Sequence, residues 1–499
     1  MSAGRLTYRF GPLERRGLFG PIRAGQAATL AAGALAAILL LDVSPTATGA
    51  LAAVVEFASA VLLALAPVGR RTAGEWLPIA VRFATRRLGG PSRFRSRSPS
   101  AGVLARGLRS PAEWELEQPQ PDPPPGLSGA RIIELPYRDR RVGAISENGG
   151  RRLTAVLACR VVAFSLLDPE AQERRLARWG LVLAGAASTP IRRIQWLERT
   201  APAQGDELAR WLHAERDPRV PLRGTPMIES YLELIGSSAK VTQEHEILVA
   251  VQVDARRVRD GGREVCAEAL IEQTERVAQG LEAAEVSVLG ALGSGHLARA
   301  LRTAFDPYAR AELAALETAD PARDGLAEAN AWPLGTDESW ESFRSDGALH
   351  ATYWIGGWPR VDVSAMFMDA LLGRSSAVRT VAMTFEPLPP ERSTREVEAA
   401  VTRDHADREL RRRFGQAETA RQRQAQEATM RREAELAAGH AEVRLAGFVT
   451  VTGRDAEDLR RSCSEVHEHA ARARLELHRM YGQQAQAFTF TLPFCRGLR

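Results

Sequence analysis

HEILVAVQVDARRVRDGGREVCAEALIEQTERVAQGLEAAEVSVLGALGSGHLARALRTAF, His245 to Phe305, is the stretch whose reading decides the fold class. HEILVAVQVDA reads as a strand, and REVCAEALIEQTERVAQGLEAA carries apolar residues at helical spacing. EVSVLGAL from Glu285 is strand-like again, and HLARALRTAF is a second helix. Working toward the N-terminus, the same order is met in LTAVLACRVVAFSLL from Leu153, PEAQERRLARWGLVLAGAAS from Pro169, IRRIQWLE from Ile191 and DELARWLHAE from Asp206. Toward the C-terminus it is met in AEVRLAGFVTVTG from Ala441, AEDLRRSCSEVHEHAARA, RLELHRMY and QQAQAFTFTLP. A poorer unit lies between Ala348 and Pro390, with ALHATYWIGGW and AVRTVAMTFEP as its strands. The reading is an α+β (or α/β) fold of repeated β-α-β-α modules, whose strand order is not readable. Between the last two units, Glu391 to Ala438 is helix-forming and densely charged, with sparse apolar positions such as Val397, Val401, Leu410, Phe414, Met430 and Leu436. That pattern is too polar for a core helix and predicts an exposed helical arm or hairpin.

Upstream of these modules the character changes. GQAATLAAGALAAILLL (Gly25–Leu41) has no charge, and GALAAVVEFASAVLLALA (Gly49–Ala66) has one, Glu56. Each reaches the lower length limit for a membrane span. The seven residues between them, Asp42 to Thr48, contain no base. Arg5, Arg9, Arg15, Arg16 and Arg23 precede the first span, and Arg70, Arg71, Arg82, Arg86 and Arg87 follow the second. The positive-inside rule then predicts a multi-pass hairpin in the cytoplasmic membrane with both termini in the cytoplasm. A cleaved signal peptide does not fit two spans each flanked by arginine. Glu56 is the one candidate for intramembrane contact, because an ionisable group at mid-span is costly unless it meets a partner. A protonated glutamate or a shifted span would account for it equally.

Charge sharpens the division. The chain carries +5 overall, but residues 1–110 hold 15 arginines against Glu14, Asp42, Glu56 and Glu75, for a net +11, so the rest is at −6. A basic, nucleic-acid-binding soluble domain is therefore disfavoured. PSRFRSRSPSAGVLARGLR, Pro91 to Arg109, adds five arginines and no acid, which suits anionic headgroups or a solvated linker. Single-stranded nucleic acid would want interleaved aromatics, and only Phe94 is there. SPAEWELEQPQPDPPPG follows as an extended spacer.

Chemistry is sparse. Lys240 is the sole lysine, set in SSAKVTQ with no glycine before it, so a P-loop and the kinase signature are excluded. GALGSGH from Gly290 fits neither a Rossmann nor a P-loop spacing and reads as a turn. Cys159, Cys266, Cys463 and Cys495 form no Cys-x-x-Cys pair and read as reduced, mostly buried thiols. His467, His469 and His478 are poorly spaced for chelation. No catalytic, cofactor or metal residue is assigned. The closing run QQAQAFTFTLPF puts Phe488, Phe490, Leu492 and Phe494 at alternate positions, so a terminal strand would carry four apolar side chains on one face. Such a row is either packed into its own domain or exposed for a partner.

YRFGPLERRG, the two spans and RTAGEWLPIAVR resemble the PrgI-type two-span membrane protein of conjugative type IV secretion systems. ELAAGHAEVRLAGFVTVTG and LELHRMYGQQAQAFTFTLP are similar to the end of the N-terminal, non-motor region of TrbE/CagE/TraC-type traffic ATPases, with Phe488, Leu492 and Pro493 matching. The resemblance implies an actinobacterial-type conjugation or secretion protein without a motor. It would organise a separately encoded ATPase at the cytoplasmic face, with lipids contacted through the arginine-rich flank, other membrane subunits and further copies of itself in an oligomer as its other partners. The alternative is a type VII secretion membrane component of the EccE kind, which similarly couples a two-span hairpin to a cytoplasmic α/β domain. From other classes, an enzyme with a scattered site or a DNA-binding relaxosome accessory protein compete, the latter against the −6 balance. The expected division is a hairpin over 1–90 (spans about 25–41 and 49–66), a linker over 91–127, modules over 128–320, a linker over 321–347, a module over 348–390, the arm over 391–438 and a β-α-β module over 439–499.

Overall fold

In the first of two units, Pro12–Ser92, the apolar stretches form helices α1 (Ala24–Val43) and α2 (Ala47–Leu65). The computed structural model describes residues 24–68, 71–90, 92–96, 121–138, 140–160, 164–202, 226–227, 229–230, 233, 243–258, 262–310, 313, 325–373, 375–413, 420–438 and 440–498. The arginines before the first span, most of the proline spacer, the expected helix from Asp206 and Lys240 lie outside them. Thr46 caps α2, its hydroxyl accepting from the Gly49 amide at 3.2 Å. A side chain at Gly49 would strike the Ser44 carbonyl, and one at Gly33 would strike Ala60, so glycine permits both the tight turn and the close approach of the helices. Small residues (Ala53, Ala60, Ala64) are buried, whereas Leu35, Ile38, Leu39, Val54, Val55 and Leu62 are exposed. Two short strands, β1 (Pro67–Val68) and β2 (Arg71–Thr72), then lead into helix α3 (Ala73–Leu88).

The second unit, from Arg93 onward, is built on one 13-stranded antiparallel sheet. After β3 (Arg93–Arg95), its first half comprises β4 (Arg131–Tyr137), β5 (Arg140–Glu147), β6 (Arg152–Arg160), α4 (Pro169–Ala186), β7 (Ile191–Pro202), β8 (Gln243–Asp254), α5 (Arg263–Ala283), β9 (Ser287–Ala291) and α6 (Ser294–Phe305). Its second half repeats the order: β10 (Gly335–Glu338), β11 (Phe343–Ser345), β12 (Ala348–Gly357), α7 (Asp369–Leu372), β13 (Val378–Pro387), the helices α8 (Pro390–Arg413) and α9 (Ala420–Ala437), β14 (Val443–Gly453), α10 (Ala456–Arg472), β15 (Glu476–Arg479) and α11 (Gln484–Phe488).

The strand order is β3-β10-β11-β12-β14-β13-β7-β8-β6-β5-β4, with β15 also pairing β12 and β9 also pairing β6. Taken by halves, β9-β6-β8-β7 and β15-β12-β14-β13 are each a split β-α-β arrangement of ferredoxin-like topology, preceded by a hairpin. The halves join where β7 pairs β13, Ile194 opposite Phe385 and Thr200 opposite Arg379. An approximate two-fold axis normal to the sheet therefore relates them. Even the turns agree: α5 and α10 both end in a left-handed non-glycine residue, Glu285 at φ 61° and Arg474 at φ 57°. In each, the next amide returns to the helix, Val286 N to Leu281 O at 3.0 Å and Leu475 N to Ala470 O at 2.8 Å.

This corrects the modular expectation. The α+β class holds, but the modules over 128–320, 348–390 and 439–499 are parts of one sheet, and the expected linker 321–347 supplies β10 and β11. Strands β6 and β7 are not neighbours, because β8 inserts between them. Period-2 alternation divides the sheet's faces: Trp196, Val249, Val251, Val381, Met383, Val449 and Val451 pack under α4, α5, α7 and α10. Leu197, Leu248, Ala250 and Ala382 pack on the other side against α6 and the C-terminal segment.

Candidate functional site

The residues singled out by sequence occupy very different environments. Glu56 lies on α2 and is exposed at the hairpin surface, beside the buried small-residue seam of Ala53 and Ala60. Phe488, Phe490, Leu492 and Phe494 are not on a strand: Phe488 ends α11, Thr489–Thr491 is a 3-10 turn, and the chain bends again over 492–494. Phe488, Leu492 and Phe494 are buried in the core with α6, and the rings of Phe488 and Phe305 lie 5.2 Å apart. Phe490, half-buried, sits 4.8 Å from the Phe448 ring. Of the two arrangements open to this row the segment takes the packed one, though not as a strand, and the sheet beneath supplies polar anchors to it. Gln195 donates to the Phe490 carbonyl at 2.7 Å and accepts from the Cys495 amide at 2.8 Å, and Gln252 donates to the Phe494 carbonyl at 3.1 Å. With its backbone held to the sheet by these bonds, the segment packs Phe488, Leu492 and Phe494 into the core.

At the junction of the halves, Arg193 on β7 donates to Glu386 on β13 at 3.0 Å and to the carbonyls of Cys495 and Leu498 at 3.2 and 2.8 Å. Both charged side chains are buried. Nothing in IRRIQWLE distinguishes this arginine from its half-buried neighbour Arg192 by sequence, since its partners lie 193 and about 300 residues away.

The glycine-rich run after β9 is a packing device. A side chain on Gly143 would meet Ser294 N at 2.7 Å, and one on Gly325 would meet the Gly295 backbone at 2.5 Å, so three backbone segments converge at the start of α6. The adjoining cleft, about 370 Å³, is lined by Glu134, Glu328 and Ser294 among others. The Ser294 hydroxyl donates to Glu134 at 2.6 Å, which with Arg141 holds that carboxyl below its usual range. Burial pushes Glu328 up. Two carboxylates at a helix N-terminus repel a phosphate, which agrees with a turn and not a nucleotide loop.

A Ser-His pair also comes together. Ser345 Oγ lies 2.8 Å from His350 Nε2, and His350 Nδ1 lies 2.9 Å from Thr452 Oγ1. Ser345 donates to the Phe305 carbonyl at 2.6 Å, so it accepts from an Nε2–H, and Nδ1 accepts from Thr452. In that tautomer the imidazole cannot take the serine proton. Both residues have no exposure, and burial lowers the His350 pKa to about 4. The pair is structural. Elsewhere, the four cysteines are free and buried, with Cys159 pushed up to about 12 by desolvation. His467 Nδ1 bonds the Cys463 carbonyl at 2.8 Å, and among the described residues no group of three or more His, Cys, Asp or Glu could hold a metal ion.

The charged arm is a pair of helices, α8 and α9, inserted between β13 and β14. Its base is fastened: Glu396 receives two bonds from Arg444 at 2.8 Å and one from Arg392 at 3.0 Å, and Arg432 pairs with Glu442. Val397 and Ala400 are buried there, while Met430 is exposed. Phe414, with the rest of 414–419, lies outside the described residues.

A family model for EccE, described as a putative type VII ESX secretion system translocon, matches residues 228–355. The match covers about a quarter of the chain and runs through β8, α5, β9, α6, β10, β11 and most of β12. It supports the EccE reading over the type IV resemblance, for which no PrgI-like or TrbE-like domain was found. Comparison with curated proteins gives no match.

Proposed function

We propose that this protein is a non-catalytic, membrane-anchored subunit of a type VII secretion translocon, with its sheet domain serving as a docking body in the cytoplasm. The observation that carries the reading is the EccE match over 228–355, in a chain whose N-terminal unit holds two helices long and apolar enough to cross a membrane. The hairpin's construction supports it: small residues line the seam and leucine, isoleucine and valine face out, the reverse of a water-soluble helical hairpin. Both termini lie in the cytoplasm in this reading, following the arginine flanks. Glu56, on the hairpin surface, meets a polar group of another membrane subunit or a second copy. The motor is a separately encoded ATPase, since Lys240 forms no Gly-Lys-Ser/Thr step.

Purification from membranes tests the assignment. Co-isolation of other type VII membrane subunits, with loss of type VII substrate export when the protein is removed, is the expected result. Co-isolation of conjugation subunits would return the reading to type IV. Saturable micromolar ATP binding by the full-length protein would overturn the non-catalytic part. Within the membrane, Glu56→Leu is expected to lower complex recovery more than Glu56→Gln, and equal recovery for both and the wild type would remove Glu56 from the interface.

A further inference from the structure

Helix α3 begins eight residues after α2 ends and is bound to it. The Ala73 amide donates to the Ala66 carbonyl at 3.0 Å, and Gly74 sits so close to the end of α2 that a side chain there would meet the Leu63 carbonyl at 2.9 Å. Its first turn is well defined, with Thr72 and Glu75 forming a reciprocal capping box. The helix is therefore a fixed continuation of the hairpin, and its faces have definite directions relative to the spans.

Those faces are unlike. At about 100° per residue, Leu77, Val81, Ala84 and Leu88 fall within an arc of about 60°, while Arg82 and Arg86 project from the far side. Ile79, the buried residue of the helix, lies opposite the stripe and about 20° from Arg86, so the side turned toward the rest of the unit is the one away from the stripe. The stripe itself is open: Leu77 and Val81 are each 52% exposed and Leu88 is 89% exposed. After Glu75 the helix contains no acid, but it carries Arg82, Arg86 and Arg87, the last placed over the Phe83 ring at 6.0 Å.

From this geometry we infer that α3 is an interfacial helix lying in the plane of the membrane, with Leu77, Val81, Ala84 and Leu88 set among the outer acyl carbons and Arg82 and Arg86 among anionic headgroups. The inference rests on the membrane reading of α1 and α2. Continuity with the span and complementarity of arginine with anionic lipid select a bilayer as the occupant of the stripe. An in-plane helix at the exit of α2 fixes how the hairpin is rotated and how deep it sits. It would also hold the start of the cytoplasmic chain against the headgroups.

The test places single cysteines in the full-length protein, whose four native cysteines are buried, and labels them with an environment-sensitive fluorophore. The protein is reconstituted in phosphatidylcholine–phosphatidylglycerol vesicles, with or without brominated acyl chains. Leu77→Cys, Val81→Cys and Leu88→Cys labels are expected to shift to the blue and to lose about half their emission to brominated lipid, with an Arg82→Cys label on the far side unaffected. A Leu62→Cys label in the span is the reference. If Leu62→Cys is quenched but the stripe labels report water, the inference is overturned and the membrane reading stands. If Leu62→Cys itself escapes quenching, both are lost. Stripe labels shifted to the blue yet insensitive to brominated lipid would show a protein partner there and overturn the bilayer as occupant.

Discussion

The two halves of the sheet share a strand order and differ in what covers it. In the first half, the 18-residue α4 and the 21-residue α5 lie side by side over the strands. In the second, the first crossover keeps only the four-residue α7, and Trp358, Phe367 and Met368 from the same connection fill against the core beside α10. The connection between β13 and β14 carries the α8–α9 arm. A split β-α-β frame evidently tolerates the loss of a helix where irregular chain can supply equivalent apolar area, because burial is non-directional. A strand carrying the seam cannot be exchanged so freely, because its hydrogen bonds and buried charges are directional.

The largest effect is expected at that seam. Arg193→Ala would leave Glu386 buried without its main partner and release two C-terminal carbonyls, destabilising the sheet domain by about 3–5 kcal/mol. If the halves are one cooperative body, calorimetry of the variant shows a single transition shifted down. Two transitions, one unmoved, would break the comparison by making the halves independent.

Next comes a difference between matching strand pairs. Near the end of the β6–β8 pair, Gln252 donates to Thr154 at 3.2 Å, and at the corresponding end of β12–β14 stands His350 with Thr452. The first pair is neutral at every pH, whereas the second titrates. Because burial depresses His350 in the folded state from 6.5 to about 4, its contribution is complete above pH 6.5. As the pH falls from 6.5 to 4, the unfolded chain gains a proton that the folded chain refuses, so stability is lost by roughly 3 kcal/mol. His350→Gln is expected to flatten denaturant-midpoint profiles over that window by this amount. An unchanged slope would show that His350 takes up its proton without cost.

A smaller effect belongs to the arm. Glu396→Gln weakens the bonds from Arg444 and Arg392 at its base and is expected to cost about 1 kcal/mol, read by chemical denaturation. Loss of the whole domain would mean that the arm is part of the frame and not an insertion on it. Smallest is a cap. Helix α10 starts at Asp455, whose carboxylate accepts from the Glu457 and Asp458 amides at 2.9 Å, whereas α5 starts at Gly262 with no side-chain cap. Gly262→Asp should raise stability by a few tenths of a kcal/mol, measurable as a higher denaturant midpoint. A decrease would mean that the two helix starts are not equivalent.

Individual elements were legible because their signals are local. The strand HEILVAVQVDA and the helix REVCAEALIEQTERVAQGLEAA declare themselves by period, and GQAATLAAGALAAILLL by the absence of charge. The closing run misled for the same reason. Phe488, Phe490, Leu492 and Phe494 alternate as in a strand, yet the segment coils into α11 and a 3-10 turn, because Gln195 and Gln252, more than 200 residues upstream, hold its backbone. Likewise Glu56 was conspicuous as a lone carboxyl in a span, while the α3 stripe emerged only once its exposure was known.

By itself, then, the sequence determined an apolar hairpin flanked by arginine, an α+β body of alternating elements, a charged arm and the lack of a P-loop, since composition and periodicity act over one or two turns of chain. Only the tertiary structure decided that the modules are halves of one sheet joined at β7 and β13, that Ser345 and His350 meet in the core, and that Arg193 bears the seam. Strand pairing is chosen by which faces can be buried together and which buried charges can find partners. Those choices depend on residues hundreds of positions apart, which no local pattern records.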